Sequence, residues 1–390
     1  MNFDEIIDRR NSHSAKWDKM EAMYGVSPKD GLSMWVADMD FRPPQVVQDA
    51  VQKCADHGIY GYFGDDEAYR SSIQWWMKNR HGWDIGTDWI FSTHGLVNGT
   101  AMCIHTWTDP GDEVILFTPV YYVFARTIKA AGRVVHECPL VNNNGRYEMD
   151  LEAAAAGLTG KEKMVILCSP HNPGGRVWTA QELRDLADFC VAHDLILVSD
   201  EIHHDLLYHG QKHIPMTLAA PDIEDRLVML TAPTKTFNFA GGHNGNVIIP
   251  DPKLRAAFEQ MMMGLGISPN MFGVHMQTAA YSPEGAEWVD ALMQYLDGNR
   301  QIFEDGVNAI PGLSAMPLEA TYLEWVDFSD TGMAQDEFIR RVQEDARIAP
   351  QHGGPFGRGG EDFLRFNIGM PRARIVEAVE RLQNAFADLQ

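Results

Sequence analysis

The stretch RLVMLTAPTKTFNFAGGHNG (226–245) contains a lysine in surroundings that are unusual for this residue. An apolar run ends at Thr231, Pro233 interrupts it, and Lys235 follows with no Asp, Glu, Lys or Arg within eight residues on either side. Lysine is normally a solvated surface residue, whereas a lysine in apolar surroundings is more easily neutral and nucleophilic. Lys235 is therefore either a surface lysine after a strand or the nucleophile of a site, and the rest of the chain decides between them.

Apolar runs like the one before Lys235 recur through the middle of the chain. They are EVILFTP (113–119), KMVILCSP (163–170), LILVSDEI (195–202), RLVMLTAP (226–233) and GNVIIP (245–250), each bounded by turn residues. Amphipathic helical patterns separate several of them, for example TAQELRDLADFCVAHD (179–194), which opens on a threonine cap. Near-continuous apolar strands between helices predict an α/β fold with a mostly parallel central sheet and helices on both faces.

The C-terminal third has a different pattern. LEATYLEWVDF (318–328) and DFLRFNIGM (362–370) are typical of half-exposed strands, and PRARIVEAVERLQNAFADL (371–389) predicts a closing amphipathic helix. A chain of 390 residues is long enough for two domains. We predict a large α/β domain over residues 50–285 and a smaller α+β domain that combines residues 1–49 with 286–390.

The composition is that of a globular protein with an acidic surface. Hydrophobic residues make up 45% and charged residues 22%, and 32 basic against 54 acidic residues give a formal net charge of −22. Nucleic acid and anionic membrane surfaces both bind basic faces, so neither is predicted as a partner. A small anionic ligand stays compatible with this charge, because one local pocket can hold it.

Several sequence features bear on the location of the chain. No apolar run approaches the roughly 18 residues of a membrane span. The opening MNFDEIIDRRNSHSAKWDKM is charged and has no apolar signal core, which predicts a cytoplasmic protein. The five cysteines, none in a CxxC pair, are predicted to be buried free thiols rather than disulfides or metal ligands. They are Cys54, Cys103, Cys138, Cys168 and Cys190.

Ligands of open parallel sheets bind just beyond the carboxyl ends of the strands, which makes the residues after each apolar run informative. Tyr121 and Tyr122 follow the first run, Asn172 follows the second, Asp200 lies at the end of the third, and Lys235 follows the fourth. An aromatic pair, an amide, a carboxylate and a lysine are thus predicted at one edge of one sheet, where together they form a candidate site.

These side chains suit an aromatic aldehyde cofactor such as pyridoxal 5′-phosphate (PLP). A lysine forms the Schiff base, and a carboxylate beside the pyridine nitrogen keeps the ring protonated and electron-withdrawing. An amide can hydrogen-bond the ring hydroxyl, and an aromatic side chain can stack on the ring. The phosphate needs a helix N-terminus, and FSTHGLVNGTAMCIHTW (91–107) provides one that begins with the amides of Gly95 and Leu96.

Four segments together resemble a known family. MWVADMDF (34–41), SPHNPGGRVW (169–178), SDEIHHDL (199–206) and PTKTFNFAG (233–241) resemble the class I/II aminotransferases, which are fold type I PLP enzymes. ADMDF together with DEIH is similar, more narrowly, to the MalY/PatB branch of cystathionine β-lyase-like enzymes. The resemblance extends from about residue 5 to residue 388 and turns the candidate site into specific expectations.

By this resemblance Lys235 is the lysine that forms the Schiff base with PLP. The predicted contacts of the cofactor are Asp200 at the pyridine nitrogen, Asn172 at the ring hydroxyl, Tyr121 stacked on the ring, and Gly95 and Leu96 at the phosphate. Thr234, beside the lysine, and His203, three residues after Asp200, are also predicted to lie near the cofactor.

The resemblance also implies contacts with the substrate and with a second subunit. Arg365 is predicted to bind the substrate α-carboxylate, which its planar guanidinium suits on chemical grounds as well. The substrate side chain is predicted to meet residues around Trp35–Asp40, Ala37 among them, and a loop over residues 261–266. The alternative for the methionine-rich segment QMMMGLG (260–266) is adaptable packing. Tyr62 resembles a tyrosine that reaches the phosphate in the neighbouring active site of a homodimer.

Two positions depart from the family pattern. His94 stands where relatives commonly have proline, and His243 stands where they often have glutamine. Many aminotransferases of this fold place an arginine near the second position to hold the phosphate, and this chain does not. The roles of both histidines are open at this point.

Structural alternatives accompany these site predictions. Asp200 could be a helix N-cap after a strand, and Asn172 could serve only the turn in NPGG. Tyr121, Tyr122 and Tyr62 could be core or interface aromatics. Arg365 could instead pair with an acid such as Asp362 or Glu361.

Histidines 203, 204, 209 and 213 form a cluster in the sequence. Their spacing fits no zinc motif and the chain has no HExxH, so no metal is predicted. The chain also lacks GxGxxG, GxxxxGK[ST] and GxSxG, which argues against dinucleotide, nucleoside triphosphate and serine-hydrolase chemistry.

Two reactions compete on such a site. If the β-carbon of the amino acid carries a thiolate leaving group, loss of the α-proton leads to β-elimination, which gives a thiol, pyruvate and ammonia. If the proton instead returns to the cofactor, the reaction is a transamination. The branch resemblance favours β-elimination from cystathionine or another cysteine S-conjugate, with an aminotransferase as the first alternative. A non-catalytic binding or regulatory protein on this fold is a distant third.

Overall fold

The computed structural model describes residues 1–389. The helices are α1 Ala15–Asp18, α2 Met20–Tyr24, α3 Gln45–His57, α4 Glu67–His81, α5 Leu96–Trp107, α6 Val123–Ala130, α7 Leu151–Ala156, α8 Ala180–Ala192, α9 Met216–Ala219, α10 Pro233–Thr236, α11 Pro252–Leu265, α12 Met271–Ala280, α13 Pro283–Asn308, α14 Gln335–Arg340 and α15 Arg372–Ala385. The strands are β1 Leu32–Met34, β2 Ile90–Thr93, β3 Glu113–Thr118, β4 Val134–Pro139, β5 Val141–Asn143, β6 Arg146–Glu148, β7 Glu162–Cys168, β8 Ile196–Asp200, β9 Leu227–Thr231, β10 Gly245–Ile248, β11 Ser314–Ala315, β12 Leu323–Asp327, β13 Ile348–His352 and β14 Phe363–Asn367.

The central sheet of residues 1–389 has seven strands in the order β2-β10-β9-β8-β7-β3-β4. Strands β9, β8, β7, β3 and β4 are parallel to one another, and only β10 runs against its neighbours. Strand β10 is antiparallel to both β9 and β2, and its link from β9 contains the four-residue helix α10, a further helical turn and short loops. The predicted α/β fold with a mostly parallel sheet is confirmed.

The second sheet brings the two ends of the chain together. Its order is β1-β13-β14-β12-β11, so the N-terminal strand β1 pairs in parallel with β13 from the C-terminal third. This pairing accords with a smaller unit that includes both termini, and the division at residues 49/50 and 285/286 stays a prediction.

Strands β12 and β14 are buried on both faces, so the prediction of half-exposed strands is wrong. On one face Phe366 contacts Phe303 of α13, with ring centroids 5.4 Å apart. On the other face Trp325 donates a hydrogen bond from Nε1 to the Tyr147 hydroxyl at 3.0 Å and lies against Phe356. The pattern of alternating residues could not reveal that the second face is covered, because the residues that cover it come from distant parts of the chain.

Local signals were more reliable where they lie within one helix. Thr179 caps α8 in a capping box with Glu182, and the predicted closing helix is α15. All five cysteines are free, and four of them are buried, as predicted, while Cys54 is half-buried. No helix within residues 1–389 is long and apolar enough to span a membrane.

Candidate active site

The carboxyl edge of the central sheet brings the predicted residues together. In the sheet register Cys168 at the end of β7 lies beside Asp200 at the end of β8, and Asp200 lies beside Leu230 near the end of β9. Asn172 follows β7 by four residues, and Lys235 lies in the short helix α10 after β9. The parallel register therefore places the amide, the carboxylate and the lysine at one edge, as predicted.

A cavity of about 690 Å³ opens at this edge. Eight of the residues that line it were predicted to bind the cofactor, and a ninth, Ala37, was predicted to bind the substrate. These nine are Ala37, Gly95, Leu96, Tyr121, Asn172, Asp200, His203, Thr234 and Lys235. Further lining residues that the sequence did not single out include Asn98, Ala101, His105, Arg126, Thr127 and Ile202. Ala101 and His105 follow Val97 at four-residue spacing on α5, a helical signal that could have identified this wall.

The amine of Lys235 reaches into this cavity. Its Nζ donates a hydrogen bond to the carbonyl oxygen of Ala37 at 2.6 Å. Burial lowers the pKa of Lys235 to about 8, with Arg365 acting in the same direction and the carboxylates of Asp38 and Asp200 opposing it. A substantial fraction of the amine is therefore neutral near pH 8, which a nucleophile or general base requires.

The carboxyl of Asp200 belongs to a buried residue that also lines the cavity. Burial raises its pKa to about 7, although the backbone N–H of Ile202 hydrogen-bonds Oδ1 at 3.2 Å. One backbone hydrogen bond does not offset the cost of burying this carboxylate. A cation placed against it would stabilise its charged form. No helix begins at Asp200 among the described residues, so the N-cap alternative is wrong.

Arg365 is joined to Asn172 rather than to an acid. Its Nη1 donates to Asn172 Oδ1 at 2.9 Å, and its Nη2 donates to the Trp35 carbonyl at 2.9 Å. The alternative pairing with Asp362 or Glu361 is wrong. Asn172 Oδ1 accepts a hydrogen bond from the guanidinium. The Nδ2 amide group of Asn172 therefore remains available as a donor to another acceptor.

A strap over residues 35–41 contributes Ala37 to the wall of the cavity. Arg365 binds the Trp35 carbonyl, and Asn367 Nδ2 donates to the carbonyl oxygens of Val36 and Asp38. Asn238, three residues after Lys235, donates to the carbonyls of Met39 and Phe41. Asn238 and Asn367 were not predicted, since an asparagine that holds backbone 200 or 300 residues away leaves no local signal.

The helix α5 starts as predicted for a phosphate site. Gly95 is its N-cap with φ of +86°, a conformation that favours glycine, and no side chain caps the helix. A Cβ at Gly95 would meet nothing within 4 Å, so this end is open. His94 and His243 also line the cavity, and the His94 ring lies 2.8 Å from the Ser268 carbonyl through Nε2.

Two other predicted parts of the site, the segment 261–266 and Tyr62, lie outside the cavity. Residues 261–265 belong to α11, which ends at Leu265, so the predicted loop over 261–266 is wrong, and none of these residues lines the cavity within the described chain. Met261 and Met262 pack partly on the core, whereas Met263 is exposed. Tyr62 is fully exposed outside the cavity, so its role in a neighbouring site stays a prediction.

Of the histidine cluster only His203 lines the cavity; His209 is exposed. His204 lies with His81 around Asp205, whose carboxylate accepts hydrogen bonds from Trp76, His81 and Thr236 at 3.0, 2.9 and 2.8 Å. Although burial alone would raise it, His204 and His81 hold the pKa of Asp205 well below its usual range. Since Thr236 follows Lys235 directly, the buried anion anchors the turn that carries the lysine.

Asp205→Asn should lower the free energy of unfolding by about 3 kcal/mol, because the buried donors lose their anionic acceptor. Urea unfolding measures this change. Asp194→Asn is the matched control, because the Asp194 side chain is 98% exposed and should give a change below about 0.5 kcal/mol. Equal stability of the two variants would contradict the anchoring role of Asp205.

The cavity residues fit PLP by several observations. The Nδ1 atom of His203 is buried without a hydrogen-bond partner among residues 1–389, and His203 lines a cavity large enough for a cofactor. The open helix N-terminus at Gly95 suits a phosphate, and the carboxyl of Asp200 suits a pyridinium. Lysine, amide and aromatic groups complete the donor set.

The fold and this cavity define a PLP-dependent enzyme of fold type I. A family model described as aminotransferase class I and II matches residues 30–382, and the chain belongs to that family. Its members use PLP and act on amino acids.

Individual relatives indicate which branch of the family the chain resembles. Cystathionine beta-lyase PatB of Bacillus subtilis (strain 168) is 37% identical over 390 residues, covering 99% of this chain and 100% of PatB. Cystalysin of Treponema denticola, whose crystal structure contains PLP, has a TM-score of 0.94 and 36% identity, covering 100% of this chain and 99% of that one. A PLP-bound structure from Clostridium difficile 630, provisionally an aminotransferase, has a TM-score of 0.95 and 36% identity, covering 99% of both chains. The resemblance to the MalY/PatB branch is confirmed.

Proposed function

We propose that this protein is a PLP-dependent carbon–sulfur β-lyase that acts on cystathionine or other cysteine S-conjugates and releases a thiol, pyruvate and ammonia. The full-length similarity to PatB, a cystathionine β-lyase, carries this proposal. The cavity supports it, because it contains the lysine, the carboxylate and the amide that the chemistry requires, with Arg365 bonded to that amide.

Lys235 has two roles in this proposal. PLP, when bound, supplies an aldehyde that takes up an amino group and a ring that stabilises negative charge at the amino-acid Cα. The amine of Lys235 is its covalent attachment point and, once released, the base that accepts the α-proton. The same amine then donates a proton to the departing sulfur, so that one group serves as base and acid.

The other cavity residues position the cofactor and the substrate. Asp200 is assigned to the pyridine nitrogen, Asn172 to the ring hydroxyl and Tyr121 to the ring face. Gly95, Leu96 and Thr234 are assigned to the phosphate, and His203 to the neighbourhood of the ring. Arg365 is assigned to the α-carboxylate, and its bond to Asn172 Oδ1 orients that amide to donate toward the ring. The strap at Ala37 borders the substrate.

Assembly, domain division and location complete the proposal. We assign a homodimer in which Tyr62 reaches the phosphate of the neighbouring site, and its fully exposed side chain is free to do so. The smaller domain combines residues 1–49 with 286–390, a division supported by the pairing of β1 with β13. The protein is assigned to the cytoplasm.

An aminotransferase is the second candidate, favoured by the Clostridium difficile structure. Both reactions use the same lysine, aspartate and arginine, so product analysis must separate them. With L-cystathionine, a β-lyase releases thiol, pyruvate and ammonia in equal amounts. Rapid turnover only of an amino acid paired with a 2-oxo acid would overturn the proposal.

The covalent attachment of PLP should depend on pH with a midpoint near 8. Only the neutral amine attacks an aldehyde, and burial lowers the pKa of Lys235 to about 8. The attachment rate to the cofactor-free protein should therefore rise about tenfold per pH unit below pH 8 and level off above it. Stopped-flow absorbance measures this rate, and a rise that continued to pH 10 would indicate an ordinary lysine.

A further inference from the structure

His243 has a strained backbone at the edge of the cavity. Its φ of +43° and ψ of +59° lie in the left-handed region, which favours glycine. Glycines stand at 241, 242 and 245, yet the residue with the left-handed conformation is a histidine. Strain that persists beside a functional cavity points to a requirement for the side chain.

The turn that contains His243 lies against the start of α5. A Cβ at Gly245 would approach the carbonyl carbon of Gly95 to 2.9 Å and the amide nitrogen of Leu96 to 3.1 Å. The Thr93 hydroxyl lies 3.2 Å from the Gly95 carbonyl oxygen and 3.3 Å from that of Gly245. His243 is therefore two residues from the point where the backbone touches the proposed phosphate site, and it lines the same cavity.

The turn is also held from its other side. The Asn244 side chain is buried and bonded to Gln277, and the Gly242 carbonyl accepts from Asn270 Nδ2 at 2.7 Å. These contacts fix the backbone on both sides of His243. Its imidazole, in contrast, makes no hydrogen bond or ion pair with any side chain or carbonyl among residues 1–389.

No basic side chain is among the contacts assigned to the phosphate, which are Gly95, Leu96, Thr234 and Tyr62 of a neighbouring subunit. Charge-assisted hydrogen bonds from basic side chains are the strong contacts of a phosphate. Lys235 is engaged with Ala37, His94 with Ser268, and burial holds the pKa of His203 well below its usual range, which leaves that ring neutral. His105 is in the last turn of α5, far from its first amide. Apart from His105, the basic side chains of the cavity left without such a partner in the described chain are those of His243 and Arg126, and both residues are exposed.

We propose that the imidazole of His243 donates a hydrogen bond to the phosphate of PLP. It takes the place of a cationic phosphate ligand at the end of the site where the helix N-terminus and the glycine turn meet. This assignment depends on PLP as the cofactor in the proposed function, but not on which reaction follows.

The test compares binding of PLP with binding of pyridoxal, which has the same aldehyde and ring but no phosphate. Cofactor-free protein is titrated with each compound, and the absorbance of the bound form gives two dissociation constants. The variants are His243→Gly, which suits the left-handed backbone, and His243→Asn, which tolerates it but lacks the imidazole. Controls are His209→Gln, at an exposed histidine outside the cavity, and Arg126→Gln.

His243→Gly should weaken PLP binding about tenfold and leave pyridoxal binding unchanged, since one charge-assisted hydrogen bond is lost. The thermal midpoint of the cofactor-free variant should stay the same or rise, because glycine relieves the backbone strain. Equal weakening of both compounds would make His243 a merely structural residue. Unchanged PLP binding, or a phosphate-specific loss only in Arg126→Gln, would also overturn the assignment. If the unmodified protein did not bind PLP at all, that result would instead contradict the proposal that PLP is the cofactor.

Discussion

Lys235→Ala should reduce the turnover of L-cystathionine by about 10⁴-fold or more, because one amine serves as attachment point, base and acid. The loss should appear in kcat, since the groups assigned to the substrate carboxylate and the cofactor ring remain. The absorbance band of the covalently attached cofactor should disappear as well. Steady-state assay of thiol release together with the absorption spectrum measures both effects.

The matched control for this prediction is Lys253→Ala. Lys253 is exposed on the first turn of α11, and its loss should change neither kcat nor the spectrum. Turnover in Lys235→Ala at more than a few per cent of the unmodified rate would show that another group moves the α-proton. Restoration of turnover in Lys235→Ala by added small primary amines would support the role of the Lys235 amine as base and acid.

Asp200→Asn should lower kcat by about 10²–10³-fold, the range measured for removal of one oriented electrostatic group in an active site. Asparagine keeps the size of the side chain but cannot hold the proton on the pyridine nitrogen. Asp194→Asn, at a 98% exposed side chain, should leave kcat unchanged. An Asp200→Asn variant with normal kcat would place the ring nitrogen against another residue.

The same substitution should change how the stability of the cofactor-free protein depends on pH. Burial raises the folded-state pKa of Asp200 to about 7, above the value in the unfolded chain. Between about pH 4 and 7 the folded state therefore binds more protons at this group, so its contribution to stability falls as the pH rises. Denaturation at pH 5 and at pH 8 measures the free energy of unfolding at each pH. The decrease in this free energy from pH 5 to pH 8 should be smaller for Asp200→Asn than for the unmodified protein.

The part of the site that follows strands could be predicted from the sequence. Asp200 ends β8, Asn172 follows β7 and Lys235 follows β9, so the rule for parallel sheets was enough to bring them together. The start of α5 was also readable, because a glycine before an apolar helical pattern marks an open N-terminus. These are local signals that the fold converts into proximity.

Contacts between distant segments could not be predicted in the same way. Arg365 lies 193 residues from Asn172, and an arginine in an apolar strand could equally have paired with a nearby acid. The strap carbonyls, which Asn238 and Asn367 bind, carry no side-chain pattern at all. The burial of β12 and β14 was missed for the same reason, since Tyr147 and Phe356 cover them from outside the strand sequence.

The direct test of the proposed reaction is one incubation of the PLP-loaded protein with L-cystathionine and no added keto acid. Pyruvate, ammonia and free thiol are assayed while the cofactor spectrum is followed. The proposal predicts many turnovers with equal amounts of the three products and a persistent aldehyde-form spectrum. One equivalent of keto acid per site, with conversion of the cofactor to its amine form, would contradict it and identify an aminotransferase.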